Sequence, residues 1–131
     1  MRIGVGMIAI KLDVRPMPSP RPRVYVNTTI MPKKYKEHKQ FIALKLRAFK
    51  PFKRVPLEVE FLFGYKAAKS AAMNKYPVPQ GDIDNTCKTY LDAMEGVLYE
   101  NDTQVVKITA RKMYSDMNFV FIKIKEFEDM V

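Results

Sequence analysis

The chain has 131 residues, 47% of them hydrophobic, which suits a single domain over residues 1–131 with a true apolar core. Its one cysteine, Cys87, and one histidine, His38, exclude an internal disulfide and any metal site built on clusters of those residues. No apolar run approaches the roughly 20 residues that cross a bilayer, and the net charge of +9 at pH 7 favours a polyanionic partner, nucleic acid before membrane.

The first segments predict a strand followed by an extended, arginine-bearing loop. Apolar residues alternate with others over residues 7–14, a period that indicates a β-strand. Four alternating prolines in residues 16–22 exclude a helix or a central strand, and they predict an extended loop from which Arg21 and Arg23 project. A short strand at 24–26 is expected next.

A basic helix follows in this prediction. Pro32 fits the first turn of a helix over residues 33–49, where apolar residues recur at helical spacing. Between residues 15 and 54 the chain has twelve lysines and arginines and a single acid, Glu37. An acidic cluster comes later, which is odd for a plain DNA-binding module because carboxylates repel phosphates unless a cation lies between them.

The second half predicts a strand at 57–63, a long loop at 64–81 and a helix at 83–98 with one apolar stripe. The β-rich runs 103–114 and 117–127 are interpreted as a C-terminal hairpin. The predicted fold class is therefore α/β of the α+β type: a small mixed sheet with two main helices and a C-terminal β-hairpin.

The informative acids surround the second helix. Asp82 comes just before its first turn and Asp84 lies within it, so either carboxylate can cap the helix, although capping needs only one of them. Asp102 lies where the chain re-enters the sheet, and the returning strand can carry it towards that pair. Clustered carboxylates suit Mg²⁺, which activates water for phosphodiester cleavage. Lys88 lies on the same edge of the helix as Asp84. It can stabilise the negative charge that develops on the phosphate during cleavage, or it can form an i,i+4 ion pair with Asp84 or Asp92.

These residues resemble the RusA family, and the resemblance spans nearly the whole chain. The segments that carry it are Pro18-Ser19-Pro20-Arg21-Pro22-Arg23, Asp82-Ile83-Asp84-Asn85-Thr86-Cys87-Lys88, Leu91-Asp92-Ala93-Met94 and Tyr99-Glu100-Asn101-Asp102-Thr103-Gln104-Val105-Val106. Asn101 departs from the family pattern, because many members have an acid there; its carbonyl oxygen is a weaker metal ligand.

The resemblance implies a homodimeric Holliday junction resolvase that makes paired nicks in four-way DNA junctions, in recombination and repair, with Mg²⁺ or Mn²⁺. It implies that Asp82, Asp84 and Asp102 bind the metal and catalyse, and that Lys88 is a catalytic lysine. Such proteins are often carried by phages and prophages, so we expect a phage or prophage origin. Because Cys87 is unpaired, we expect the protein to be located in the bacterial cytoplasm. We expect it to have no membrane partner and no small-molecule cofactor.

Basic side chains are predicted to hold DNA phosphates without reading bases. The predicted DNA-binding residues are Arg21, Arg23, Lys33, Lys34, Lys36, Lys66, Lys69 and Lys75. For any single lysine, a solvated surface position is the alternative.

Two other functions remain open at this stage. A non-catalytic DNA- or RNA-binding protein explains the charge but not the order of the acids, and a metal-dependent nuclease for other branched DNA explains both. A nuclease of the PD-(D/E)xK type is disfavoured, since Glu58 and Glu60 lack the required lysine two residues on. His38 and Cys87 are predicted to pack in or beside the core rather than to catalyse.

Overall fold

A computed structural model describes residues 6–20, 23–25, 28–67 and 76–128. Its elements are β1 (Met7–Leu12), β2 (Arg23–Tyr25), β3 (Thr28–Ile30), α1 (Lys33–Leu46), β4 (Leu57–Lys66), α2 (Ile83–Met94), a 3₁₀ turn (Asp102–Gln104), β5 (Val105–Ser115) and β6 (Phe119–Glu126). Three predicted DNA-binding residues, Arg21, Lys69 and Lys75, lie outside the described residues, as does the side chain of Arg23.

Four strands form one mixed sheet in the order β1-β6-β4-β5. The central strand β4 runs antiparallel to β6 and parallel to β5, and β1 is antiparallel to β6. Strands β2 and β3 form a separate two-stranded ribbon. With its two helices, this mixed sheet confirms the predicted α+β class, while the predicted dimer stays a prediction.

The predicted C-terminal hairpin is wrong. Strands β5 and β6 are consecutive along the chain, but they do not pair with each other, because β4 lies between them in the sheet. The connection at 116–118 crosses the end of β4, where the Asn118 side-chain oxygen accepts a hydrogen bond from the Lys66 backbone N–H at 2.8 Å. Alternating polarity indicates which face of a strand is buried, but it does not indicate which strands pair with each other.

The core lies between the sheet and the helix layer. Val59, Phe61 and Phe63 alternate along β4 and are buried, as the period-2 pattern predicted. The Tyr90 ring of α2 lies over this face, with its centroid 6.4 Å from that of Phe61 and 5.8 Å from that of Phe63. Helix α1 packs against α2. This packing fixes α2 on the sheet, and with it the acids at either end.

Both helices are shorter than predicted. Helix α1 ends at Leu46 and α2 at Met94, and Gly96 follows with a φ of 79°, a left-handed conformation that glycine adopts without strain. No helix in the described part of the chain combines the length and the apolar run that crossing a membrane requires.

His38 joins the two helices through a hydrogen bond. Its Nε2 lies 2.8 Å from the Tyr90 hydroxyl, which also accepts from the Met17 backbone N–H at 3.1 Å. The direction of the bond between His38 and Tyr90 depends on which ring nitrogen carries the proton. Burial lowers the pKa of His38 from its usual 6.5.

We expect this histidine to make stability fall in mild acid. Because its folded-state pKa lies below that of the unfolded chain, its contribution is complete above about pH 6.5 and is lost as the pH falls through the folded-state value. Urea unfolding of the wild type and of His38→Gln between pH 8 and pH 5 measures this. The loss should be smaller in the variant, and equal slopes in both proteins would refute the assignment.

A second prediction concerns Gly64 in the middle of β4. A Cβ added there would lie 2.0 Å from the Phe119 ring, which covers the glycine. Gly64→Ala should therefore lower the free energy of unfolding by about 1–3 kcal/mol through overpacking. In a Phe119→Ala background the same substitution should cost almost nothing, which a double-mutant cycle of urea unfolding measures. An undiminished cost in that background would show that the ring is not the cause.

Candidate active site

An open cleft lies beside the start of α2. Its volume of about 670 Å³ far exceeds the ~30 Å³ share of one water molecule, so a hydrated cation and a phosphodiester group fit together. The residues that line it are Pro18, Ser19, Val78, Pro79, Gly81, Asp82, Ile83, Asp84, Asn85 and Lys112. Two of the three predicted catalytic aspartates thus share one cleft.

The carboxylate of Asp82 is not used to cap the helix. Asp82 occupies the N-cap position, yet its side chain makes no capping hydrogen bond. Instead, Asn85 connects the two acids: its side-chain nitrogen lies 3.3 Å from Asp82 Oδ2, and its backbone N–H donates to Asp84 Oδ1 at 2.9 Å. Capping, the simplest alternative for these acids, therefore leaves Asp82 unexplained.

The turn that leads into Asp82 is held from two sides. Lys112 of β5 donates from Nζ to the carbonyl oxygens of Gln80 and Gly81, at 2.8 and 3.0 Å. From α2, the Thr86 hydroxyl donates to the Asp82 carbonyl at 2.8 Å. Neither Lys112 nor Thr86 is among the site residues predicted from the sequence. Lys112 pairs with the buried Phe63 and so lies on the helix-covered face of the sheet, an unusual place for lysine, but this pairing is not visible in the sequence.

The proline-rich segment is fastened along the same half of α2. Thr89 donates from its hydroxyl to the Met17 carbonyl at 2.7 Å, and the Ser19 backbone N–H donates to the Asn85 carbonyl at 2.9 Å. The Arg15 guanidinium donates to the Gln80 side chain at 2.5 Å. The extended loop is therefore a wall of the cleft rather than a free arm over this stretch.

Asp102 lies at the opposite end of α2. Its backbone N–H donates to Glu95 Oε2 at 2.8 Å, and Glu95 is the C-cap residue that follows Met94, the last residue of the helix. At 1.5 Å per residue, the ends of α2 at Asp82 and Glu95 are about 20 Å apart. Asp102 is exposed there.

Asn101 has a structural part at that end. Its side-chain oxygen accepts from the Thr103 backbone N–H at 2.9 Å, in a capping box completed by Gln104. Gln104 also donates to the carbonyls of Lys53 and Val55, at 3.0 and 3.1 Å. The asparagine that departs from the family pattern thus caps the turn that bears Asp102.

Asp92 is a further acid near Asp102. Burial raises its pKa, and repulsion from the Glu95 and Asp102 carboxylates raises it further. The positive charges of Lys39 and Lys88 lower the pKa of Asp92 and so oppose this rise. Among the described residues of one chain, no group of three or more His, Cys, Asp or Glu side chains is arranged to hold a metal ion. The predicted convergence of all three aspartates is not found within one copy.

The predicted basic residues are on the surface. Lys88 is exposed, one helical turn after Asp84, and is not among the residues that line the cleft. Lys33, Lys34, Lys36 and Lys66 are exposed as well. Lys33 lies 3.7 Å from Glu37, an exposed i,i+4 ion pair that contributes little to stability.

Two comparisons with known proteins bear on the family of this chain. The family model of the endodeoxyribonuclease RusA matches residues 13–125, which include both ends of α2. A protein of Bacillus subtilis (strain 168), the uncharacterised protein YqaN, is 28% identical over 108 residues, which cover 72% of this chain and 76% of that protein. A match over most of the chain shows the family: this chain belongs to the RusA endodeoxyribonucleases.

Proposed function

We propose that the protein is a Mg²⁺-dependent, homodimeric nuclease that resolves Holliday junctions by paired nicks in recombination and repair. Its family implies Holliday junction resolvase activity. The observation that carries the proposal is the pair Asp82 and Asp84, which line one open cleft although Asp82, at the N-cap position of α2, makes no capping hydrogen bond. In this proposal Lys88 and Asp102 take part as well, and four-way DNA is the substrate.

The residues in the cleft fit a divalent cation. Carboxylate oxygens are hard ligands, and Mg²⁺ commonly keeps several waters while binding one or two carboxylates and a substrate phosphate. Asp82 and Asp84 would hold it, with Mn²⁺ as a substitute. When bound, such an ion supplies a water of lowered pKa and neutralises charge on the phosphate. Asn85 orients both carboxylates through its two hydrogen bonds, and the wall at Pro18 and Ser19 limits the approach of DNA to one side.

A two-fold dimer would reunite the three aspartates. Two copies of α2 that run antiparallel across a two-fold axis bring the start of one helix beside the end of the other, so that the partner's Asp102 lies near Asp82 and Asp84. Strand β5 supports this arrangement, because it forms an edge of the sheet and its Val106 and Ile108 are 57% and 46% exposed. Two such sites, related by the axis, match the approximate two-fold symmetry of a four-way junction.

DNA binding is assigned to the basic surface and not to the cleft. Exposed lysines of α1, Lys33, Lys34 and Lys36, together with Lys66 at the end of β4, can neutralise phosphates without contacting bases. Because this surface does not depend on the aspartates, binding and cutting are expected to be separable.

The first test of this function is a metal-dependent nicking assay. The wild type should nick a synthetic four-way junction only with Mg²⁺ or Mn²⁺, and less readily nick linear duplex, flap or single-stranded DNA. Asp82→Asn or Asp84→Asn should reduce nicking by about 100-fold or more, whereas junction binding in EDTA should be unchanged or tighter, because a charge that repels phosphate has been removed.

The matched control is Asp116→Asn, which makes the same chemical change at an exposed position in the β5–β6 connection. It should nick at the wild-type rate. If both cleft variants cut normally, the site is misassigned. If the wild type binds the junction but nicks no DNA with either metal, the protein is a non-catalytic binder.

The dimeric site is tested by mixing two inactive variants. In a heterodimer of Asp82→Asn and Asp102→Asn subunits, a shared site rebuilds one intact centre and leaves the other with both changes. A refolded equimolar mixture should then show roughly a quarter of the wild-type sites, with single nicks instead of paired ones. A mixture as inactive as its components would place each complete site within one subunit and refute the shared arrangement.

A further inference from the structure

A lysine that the family resemblance did not indicate lines the cleft together with the aspartates. Lys112 lies in the middle of β5 and pairs in register with Phe63 of β4, so its side chain shares the helix-covered face of the sheet. It is partly buried. Lys88, the lysine expected at this site, is exposed and does not line the cleft. A cation from the sheet thus contacts the backbone of the turn before Asp82.

The contacts of Lys112 are with backbone and not with carboxylate. Its Nζ donates to the carbonyl oxygens of Gln80 and Gly81, two consecutive residues just before Asp82. Both bonds are charge-assisted, which makes them stronger than bonds between neutral groups. A third N–H of the ammonium group remains. Lys112 therefore restrains the direction in which the chain enters α2.

The restrained turn has two other contacts at Gln80: its side chain accepts from the Arg15 guanidinium, and its backbone N–H donates to the Pro77 carbonyl at 3.1 Å. Gly81 has a φ of +40°, a conformation that only glycine adopts easily, and a Cβ there would lie 3.5 Å from both Pro18 and Thr86. Beyond Gly81, the Asp82 carbonyl is held by Thr86. The backbone that carries Asp82 is held between these two anchors, Lys112 on one side and Thr86 on the other.

We propose that Lys112 is a positioning residue for the metal-binding pair: it holds the turn at 80–81 so that the Asp82 and Asp84 carboxylates face the cleft together. This inference rests on the proposed metal-dependent function. The role of Lys112 differs from the catalytic role proposed for Lys88. Lys112 acts through the backbone of the turn and not by direct contact with a carboxylate.

If Lys112 acted only through its charge, the expected effect of its removal on metal affinity would be the opposite. A cation near two carboxylates repels a second cation, so removing its charge alone should tighten divalent metal binding. Removing a restraint that aligns the ligands should weaken it, because groups that orient metal ligands typically contribute about 10- to 100-fold to affinity. The direction of change in metal affinity therefore separates positioning from charge.

The experiment measures Mn²⁺ binding to the purified full chain without DNA, by calorimetry and by the electron paramagnetic resonance of free Mn²⁺. Lys112→Met should raise the Kd for Mn²⁺ about tenfold or more. Lys112→Arg, which keeps two or more donors, should recover part of the affinity. Nicking of a four-way junction should need correspondingly more Mg²⁺ for half-maximal rate in Lys112→Met.

Lys107→Met is the matched control. Lys107 lies on the same strand, but it forms a partly exposed ion pair with Glu58, 3.5 Å away, and is not part of the cleft. Removing it changes net charge by the same amount and should leave Mn²⁺ affinity and the Mg²⁺ requirement unchanged. Junction binding in EDTA should weaken equally in both methionine variants, because each loses one positive charge.

The outcomes separate this inference from the proposed function. Unchanged or tighter Mn²⁺ binding by a folded Lys112→Met overturns the positioning part, even when the wild type nicks junctions normally. A wild type that nicks no junction with either metal overturns the proposed function instead. If thermal melting shows that Lys112→Met does not fold, Lys112→Gln replaces it, since its amide can still donate to one of the two carbonyls.

Discussion

A straight helix keeps its two ends apart, and α2 imposes this constraint on the acids of the protein. Tyr90 packs the helix against Phe61 and Phe63, so its position on the sheet is fixed. Asp82 begins it, and Glu95, which holds Asp102, ends it. One copy can therefore present a pair of aspartates and, about 20 Å away, a third. A centre that uses all three needs a second copy, and the same helix then serves two sites.

The loops around the cleft are ordered by hydroxyl groups on the inner face of α2. Thr86, Thr89 and Tyr90 are fully buried, and a buried hydroxyl costs free energy unless it forms a hydrogen bond. Their partners are the backbone of Asp82 and of Met17. Irregular segments from distant parts of the sequence are in this way given defined positions, and the cleft has rigid walls although it is built largely from loops.

Much of this could be predicted from residues acting within one element. The alternation in β4 and the apolar stripe of α2 follow from local periods, and the structure confirms them. The positions of Asp82 just before α2 and of Asp84 in its first turn could be predicted in the same way. Such patterns describe a single element and the face that it buries.

What the sequence could not show depends on contacts between elements. The hairpin prediction failed because polarity does not reveal that β4 separates β5 from β6. Lys112 reaches the turn at 80–81 only through the order of strands, and Asp102 is kept from Asp82 only by the length and direction of α2. Each depends on which elements are neighbours, which a period along one chain segment does not encode.

The distribution of charge explains how one small domain can bind DNA and also hold carboxylates against it. Helix α1 exposes lysines, whereas the acids lie at the ends of α2, the helix against which α1 packs. The long-range attraction between the protein and DNA depends on the net charge of +9. The repulsion between the cleft carboxylates and DNA is short-ranged and affects only the phosphate next to the cleft. In the proposed function, DNA can thus be held by the basic surface while the phosphate to be cut is repelled, until a divalent cation neutralises the pair. Without metal, the carboxylates keep the phosphate out of the cleft. With metal bound, they favour its binding there.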